Sequence, residues 1–337
     1  MKRLCYVSRC YGAKESAGRK AKTDYEDILA SMGARNLGLG RRYGGSKVRA
    51  FLRNLAGVGA YFFRVRRGDC VVLQYPVKKY FRLMCFIARM RGADTVAFIH
   101  DLGSWRRKRI SEATELRRLN SSDAVIAANE AMEQWLVGHG LTVRHTAMGL
   151  HDYLGEGRPR NRAHNRPWSV TYAGSLNLRK SSFLEKLQRE PGVNLFLYGN
   201  LPPEMAEMAE GATACGNVAP EEFIENARGD FGLVWDGAQL DACTGPMGEY
   251  LRVNTPHKCS FYLRAGLPLI VWSRSAMAAE VTHLGIGIAV DTLEGLGKRL
   301  DAVSNAEYET MSRAVASVAE DLAAGRQLRR ALGSIVR

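Results

Sequence analysis

The sequence predicts an α/β protein of two Rossmann-like domains, each a parallel sheet wrapped by helices. Three observations carry that prediction. At 337 residues the chain exceeds the usual single-domain size, which favours two domains of roughly 150 residues each. Short apolar runs alternate with helix-length stretches in both halves, the pattern of βαβ units. Between them GEGRPRNRAHNRP (155–167), polar, basic and rich in Gly and Pro, reads as an interdomain linker.

In the first half RLCYVS (3–8), CVVLQY (70–75), TVAFIH (95–100), AVIAA (124–128) and TVRHTAM (142–148) are strands. Helices are expected near 24–32, 47–63, 79–91 and 130–138. After the linker the alternation restarts with WSVTYAG (168–174), VNLFLYG (193–199), ATACG (212–216), FGLVW (231–235), LPLIVW (267–272) and GIAV (287–290). From about 305 the pattern is helical, with Met311, Val315, Val318, Leu322 and Leu328 on one stripe. The chain so divides into a first domain (1–154), the linker (155–167), a second domain (168–304) and a helical tail (305–337). Two such sheets suggest ligand binding in a cleft between domains, at strand carboxyl ends. The tail could cross the domains or pack on a second subunit, so a homo-oligomer stays open.

The charge is unevenly placed. Residues 1–166 hold 32 Lys/Arg against 14 Asp/Glu, whereas 167–337 hold 16 against 20. RVRRGD (64–69) and SWRRKRIS (104–111) would suit a nucleic-acid-binding protein. No nucleic-acid-binding motif accompanies them, and an acidic second half would have no role there, so no nucleic-acid partner is expected. A dinucleotide oxidoreductase is disfavoured too: SRCYGAKESAGRKAK (8–22) stands where GxGxxG should follow the first strand, and GxxxxGK[ST] is missing. Seven cysteines without a CxxC pair or zinc spacing predict reduced, mostly buried thiols and no metal.

No apolar run is long enough to span a bilayer, and MKRLCYVSRC lacks the stretch of a secretory signal, so a cytoplasmic location is expected. KVRAFLRNLAGVGAYFFRVRRGD (47–69) places Phe51, Leu55, Val58, Phe62 and Val65 near one helical face beside Lys47, Arg49 and Arg53. VKKYFRLMCFIARMRG (77–92) repeats the mixture. These are either core-facing helices with solvated charges or basic amphipathic helices that dock peripherally on an anionic membrane surface.

The chemistry-bearing motifs lie mainly in the second half. TYAGSLNLRK (171–180) runs from a strand through a Gly174-Ser175 turn to Arg179 and Lys180 at a helix start, where backbone N–H groups and the helix dipole favour phosphate. Alone this signal is weak, since two adjacent cations at a helix start are more often merely solvated charges. FGLVWDG (231–237) and GEYLRVNTPHKCSFYLRAGLPLIVW (248–272) say more. Pro256 opens a helix with Lys258 in its first turn, a place the dipole disfavours for a cation unless an anion sits there. A diphosphate ligand is one reading, a lysine extending to solvent the other.

The order YAGSL, RK, FGLVWDG, GEYLRVNTPHK and YLRAGLPLIVW resembles the bacterial beta-1,6-galactofuranosyltransferases of lipopolysaccharide O-antigen assembly. It is more distantly similar to the glucosyltransferases that extend glycans on serine-rich adhesins. The likeness reaches DCVVLQYP (69–76), FIHDLG (98–103) and SDAVIAANEAMEQWLVGHGL (122–141), and so covers most of the chain. It implies the GT-B fold, a UDP-sugar donor held mainly by the second domain, and a glycan or lipid-linked glycan acceptor held mainly by the first. Inversion at the anomeric carbon, without metal or cofactor, is implied as well.

Carried onto this chain, the resemblance makes Arg179 and Lys258 diphosphate ligands and Asn254 and Tyr198 neighbours of the nucleotide. The Gly216-Asn217-Val218 turn becomes the reader of the uracil edge. Many retaining GT-B enzymes have a glutamate three positions after the lysine to hold the ribose; here Phe261 stands there, which leaves the ribose contact unassigned. An inverting transfer needs a base for the acceptor hydroxyl. Asp101 in IHDLG is the first candidate, His100 the second and Glu15 the third; Asp101 reads otherwise as a cap of the next segment. Asp236 and Glu249, where WDG and GEY depart from the glucosyl relatives, are expected near the donor sugar, galactofuranose before glucopyranose. Their plainer reading is a loop cap and an exposed carboxylate.

Overall fold

The computed structural model describes residues 2–11, 17–77, 80–106, 110–160, 164, 166–206 and 210–336. The chain forms two compact units, Met1–Asp152 together with Gly325–Arg337, and Tyr153–Ala324.

The first unit runs β1 (Arg3–Tyr6), β2 (Cys10–Tyr11), α1 (Ala17–Ser31), β3 (Arg35–Asn36), β4 (Arg42–Tyr43), α2 (Lys47–Arg64) and β5 (Asp69–Tyr75). It continues through α3 (Phe81–Met90), β6 (Asp94–Ile99), α4 (Gly103–Arg106), α5 (Glu112–Leu119), β7 (Ala124–Ala127), α6 (Glu130–Gly138) and β8 (Arg144–Ala147). Its sheet has the order β3-β1-β5-β6-β7-β8 and is parallel throughout. Six of the seven residues of β5 are buried. A central parallel strand is covered on both faces, which is why DCVVLQY is a nearly unbroken apolar run. Side chains cap the helix starts: Ser46 Oγ accepts from the Arg49 N–H before α2, and Asn129 Oδ1 from the Met132 N–H before α6.

The second unit runs β9 (Ser169–Ala173), α7 (Leu178–Ser181), α8 (Phe183–Leu187), β10 (Asn194–Tyr198), α9 (Pro203–Ala206), β11 (Thr213–Gly216), α10 (Pro220–Asn226) and β12 (Phe231–Val234). Then follow α11 (Gly245–Tyr250), α12 (His257–Arg264), β13 (Leu269–Trp272), α13 (Ala278–His283), β14 (Gly287–Val290), α14 (Leu296–Asp301) and α15 (Asn305–Ala323). This sheet is also parallel, in the order β11-β10-β9-β12-β13-β14. From β9 the chain moves outward to β11, then returns to add β12 on the other side. The strand order therefore reverses between β9 and β12, and in the first sheet between β1 and β5. Such switch points are where open α/β sheets take ligands, outside the strand carboxyl ends.

Two expected segments differ. The tail is two helices, one in each unit: α15 packs on α12, whereas α16 (Arg326–Ile335) packs on α1 and β8. The break is Gly325, whose φ of +68° is left-handed and whose added Cβ would lie 2.6 Å from Ile28 Cγ1 on α1. Asp152 holds the new helix start, its carboxylate accepting from the N–H groups of Gln327 and Leu328 at 3.1 and 2.8 Å. The stretch expected as a linker belongs to the second unit, and its described start is tied down. The buried Arg264 guanidinium of α12 donates to the carbonyls of Tyr153, Gly155 and Gly157. Composition alone does not show that partner, which lies about a hundred residues away in sequence.

Candidate functional site

Close packing at the second switch point starts from a glycine. Gly232 in β12 lets the Tyr262 ring of α12 lie against the strand; a Cβ there would sit 2.4 Å from Tyr262 Cγ. The Tyr262 hydroxyl in turn accepts from the Ala173 N–H at the end of β9, 2.7 Å away. So α12 is pinned across the carboxyl ends of β9 and β12. Lys258, one turn before Tyr262, is carried there with it.

Three charged groups converge at that place. Asp236, two residues past β12, is buried, and its Oδ1 lies 3.6 Å from Lys180 Nζ of α7 and 3.7 Å from Lys258 Nζ. The Tyr172 hydroxyl of β9 donates to the same oxygen at 3.4 Å. Lys258 Nζ stands 4.0 Å from the centroid of the Tyr172 ring, a cation–π contact worth about 2 kcal/mol when desolvated. The Lys258 stem keeps 11% exposure, but its Nζ is shut off from solvent and makes no hydrogen bond among the described residues. Burial, then repulsion from Lys180, pushes its pKa down to about 8, with Asp236 acting in the opposite sense.

The loops are knitted by backbone. The Gly237 N–H donates to the Lys180 carbonyl at 2.8 Å, and the Phe183 N–H to the Gly237 carbonyl at 3.2 Å, so the turn after β12 fixes α7. Gly174 and Ser175 are exposed after β9, and the Gly174 N–H donates to the Tyr198 carbonyl. The Gly199 N–H donates to the Gly216 carbonyl, which joins the ends of β10 and β11. Strand ends β9, β10 and β11 thus form one backbone-linked rim.

Other marked residues of this unit stand apart from the cluster or face other ways. Arg179 is exposed while its neighbour Lys180 turns toward Asp236. Tyr198 is buried, stacked edge-on against Phe223, and its hydroxyl accepts from the Arg228 N–H at 2.8 Å. Gly216 and Asn217 are exposed and Val218 half-buried beyond the edge strand β11. Asn254, four residues before Lys258, has a buried Oδ1 with no hydrogen-bond partner among the described residues. Glu249 is about half-exposed and paired with Arg252 at 2.7 Å. Phe261 is stacked between Phe223 and Tyr153, with centroids 4.2 and 5.4 Å away.

In the first unit Asp101 follows β6, half-exposed, in an ion pair with Arg106. His100 is buried beside it, with Nε2 2.7 Å from Gln74 Oε1. The loop carrying Asp101 is fixed by Glu115, fully buried on α5. That carboxylate accepts from the N–H groups of Gly103 and Ser104 at 2.8 and 2.9 Å and from the hydroxyls of Tyr75 and Ser104 at 2.9 and 2.5 Å. Glu15 lies outside the described residues.

Sequence reasoning passed over Tyr172, Tyr262, Gln74 and Glu115. Only Gln74 leaves a local trace, as a polar residue inside the apolar run of a central strand. The others look like ordinary core or helix residues until their distant partners are placed.

Solved structures share this architecture. The chain superimposes on Anabaena Alr3699/HepE in complex with UDP with a TM-score of 0.61 over 99% of this chain and 100% of the other, at 14% identity. The lipopolysaccharide outer core galactosyltransferase WaaB in its apo form gives 0.59 over 98% and 99%, at 11% identity. Two parallel-sheet units of this kind define the GT-B glycosyltransferases, and the chain has that fold.

Its family follows from both halves. The chain belongs to the glucosyltransferase 3-like family, residues 4–150 matching its N-terminal domain and 170–335 its C-terminal domain, and is a glycosyltransferase. The beta-1,6-galactofuranosyltransferase WbbI of Escherichia coli (strain K12) is 26% identical over 96% of each chain. Glucosyltransferase 3 of Streptococcus gordonii is 29% identical over 77% of this chain and 75% of its own.

Proposed function

We propose that this enzyme transfers galactofuranose from UDP-galactofuranose to a hydroxyl of a surface-glycan acceptor, such as an O-antigen, with inversion. The similarity to the galactofuranosyltransferase, which runs the length of both chains, carries the choice of donor sugar.

In this reading the UDP diphosphate enters the second switch point. Lys258 holds a buried amine with unused donors, a costly arrangement that an incoming phosphate oxygen relieves. Lys180 adds a second cation, and Arg179 a third at the exposed rim. Asp236 keeps the two lysines together while the site is empty. Asp236 is engaged by both lysines and by Tyr172, and Glu249 by Arg252 alone at the half-exposed rim; both carboxylates are proposed to stand near the donor-sugar hydroxyls. Gly174 and Ser175, with Asn254 in the loop before α12, line the nucleotide's approach, and the Gly216-Asn217-Val218 turn meets the base.

Transfer then needs the acceptor oxygen to attack the anomeric carbon as its bond to the diphosphate breaks, with the hydroxyl proton passing to a carboxylate. Asp101 is that carboxylate. It is half-exposed, and its loop is held by the bonds to Glu115, whereas His100 is buried against Gln74.

Glucose is the second reading of the donor, favoured by the higher identity to Glucosyltransferase 3 and by the family itself. The deciding assay supplies UDP-galactopyranose with a mutase that generates the furanose form, beside UDP-glucose and UDP-N-acetylglucosamine. Transfer only in the mutase-coupled reaction is expected. Transfer from UDP-glucose with none in the coupled reaction overturns the galactofuranose assignment.

A further inference from the structure

Helix α2 exposes the side that helices of soluble proteins ordinarily make polar. Its inward face is Gly57, Val58 and Tyr61, while Val48, Leu52, Leu55 and Phe63 line the outward one. Phe63 is 77% exposed. Helix α3 repeats this: Met84, Cys85 and Ala88 are buried, and Leu83, Phe86 and Met90 face outward, the last two at 57% and 65% exposure. Scattered exposed apolar residues are ordinary, but two adjacent helices with apolar outer stripes at helical spacing are not.

The two stripes form one surface. Phe51 near the start of α2 meets Tyr80 at the start of α3, with ring centroids 6.4 Å apart. In the last turn of α2, the Tyr61 hydroxyl donates to the Met84 carbonyl in the first half of α3 at 3.1 Å. Near the end of α2, the Phe62 ring lies 5.6 Å from the guanidinium of Arg91, just past α3. The helices therefore run side by side in one direction.

Charge identifies the partner. Neither helix contains an acidic residue, and between residues 28 and 93 the only one is Asp69, buried and paired with Arg3. Arg49, Arg64, Arg82, Arg89 and Arg91 are exposed along the apolar stripes. A second copy of this face would bring cation against cation, whereas a sheet of anionic headgroups over acyl chains satisfies both features at once. Among the described residues no helix is long and apolar enough to cross a membrane, so the contact would be interfacial.

We propose that the joined outer faces of α2 and α3 dock this protein on an anionic lipid bilayer. The test is co-sedimentation of the full chain with phosphatidylcholine vesicles, with and without phosphatidylglycerol, over a range of salt. Binding only to the anionic vesicles, released by salt, is expected. Arg49→Gln and Arg82→Gln should each weaken it about fivefold, from about 1 kcal/mol per cation. Leu52→Ser, Phe63→Ser and Phe86→Ser combined should weaken it by roughly tenfold or more. Arg313→Gln, on the exposed face of α15, should change nothing. These side chains are exposed, so thermal unfolding should stay as in the parent and confirm that the variants fold. Equal binding to neutral vesicles, or none to anionic ones, overturns the proposal. So does a dimer in sedimentation velocity that the triple variant dissociates while vesicles go unbound, since the face would then be a self-interface.

Discussion

At the reversal of the second sheet, Lys180, Lys258 and Asp236 are gathered and largely withdrawn from solvent, whereas in the first unit Asp101 stands half-exposed on a loop past β6. The supporting structure differs as well. In the second unit, the bonds of Tyr262 and Gly237 hold the charged groups directly in place. In the first unit, Glu115 fixes the backbone of the loop, and the acid it carries is part-exposed and paired with Arg106. A buried cluster of fixed charge suits one invariant anion, while a part-exposed acid on a braced loop suits a hydroxyl whose sugar can vary. Both sheets have the same parallel architecture, so the distinction lies in what their loops bury.

Asp101→Asn should separate the two regions most sharply. Turnover should fall by roughly 10²–10⁴, the usual worth of a general base, while UDP affinity stays as in the parent. A parallel loss of both would show that the first unit also holds the nucleotide.

Next in size is the cost of breaking the cluster. Asp236→Asn leaves Lys180 and the buried Lys258 without their counter-ion, and removing one partner of a buried pair costs about 3 kcal/mol or more. Urea unfolding should show that loss, and saturating UDP should restore more stability to the variant than to the parent. Unchanged unfolding in the variant would mean the three groups are not coupled.

The smallest effect is a pH dependence. Lys258 has its pKa pushed down from the ordinary lysine value to about 8 on folding. Above pH 8 the free protein increasingly holds a neutral amine, so UDP affinity should fall as pH rises through 8, and binding there should take up protons. For folding the sign is opposite. Between about 8 and 10.5 the unfolded chain binds the proton that the folded chain has released, so this group makes stability rise with pH in that window. A flat UDP affinity from pH 7 to 9 would remove Lys258 from the site.

Much of the fold could be read from local pattern, because buried parallel strands such as DCVVLQY and FGLVW announce themselves as apolar runs. The two-residue strands β2, β3 and β4 could not, since so short a segment has no period. The division of the tail also escaped, although AAGRQ contains its signal: Gly325 ends the helix with a left-handed φ of +68°, and Ile28 of α1 leaves no room there for a side chain. The candidate site divides similarly. Lys258 stood out as a cation at a helix start, but which of Arg179 and Lys180 turns inward depends on the helical phase set by the Gly237 loop. Tyr172 acts through a partner 64 residues away and Glu115 through partners 11 to 40 residues away, contacts no local pattern encodes.

Whether the buried cluster of the second unit holds the nucleotide is decided by calorimetric titration of UDP into the parent, Lys258→Ala and Asp101→Asn. Lys258→Ala should lose about 1.5–3 kcal/mol of binding, the worth of a hydrogen bond to a charged group, and Asp101→Asn none. Undiminished UDP affinity in Lys258→Ala would contradict this placement of the nucleotide.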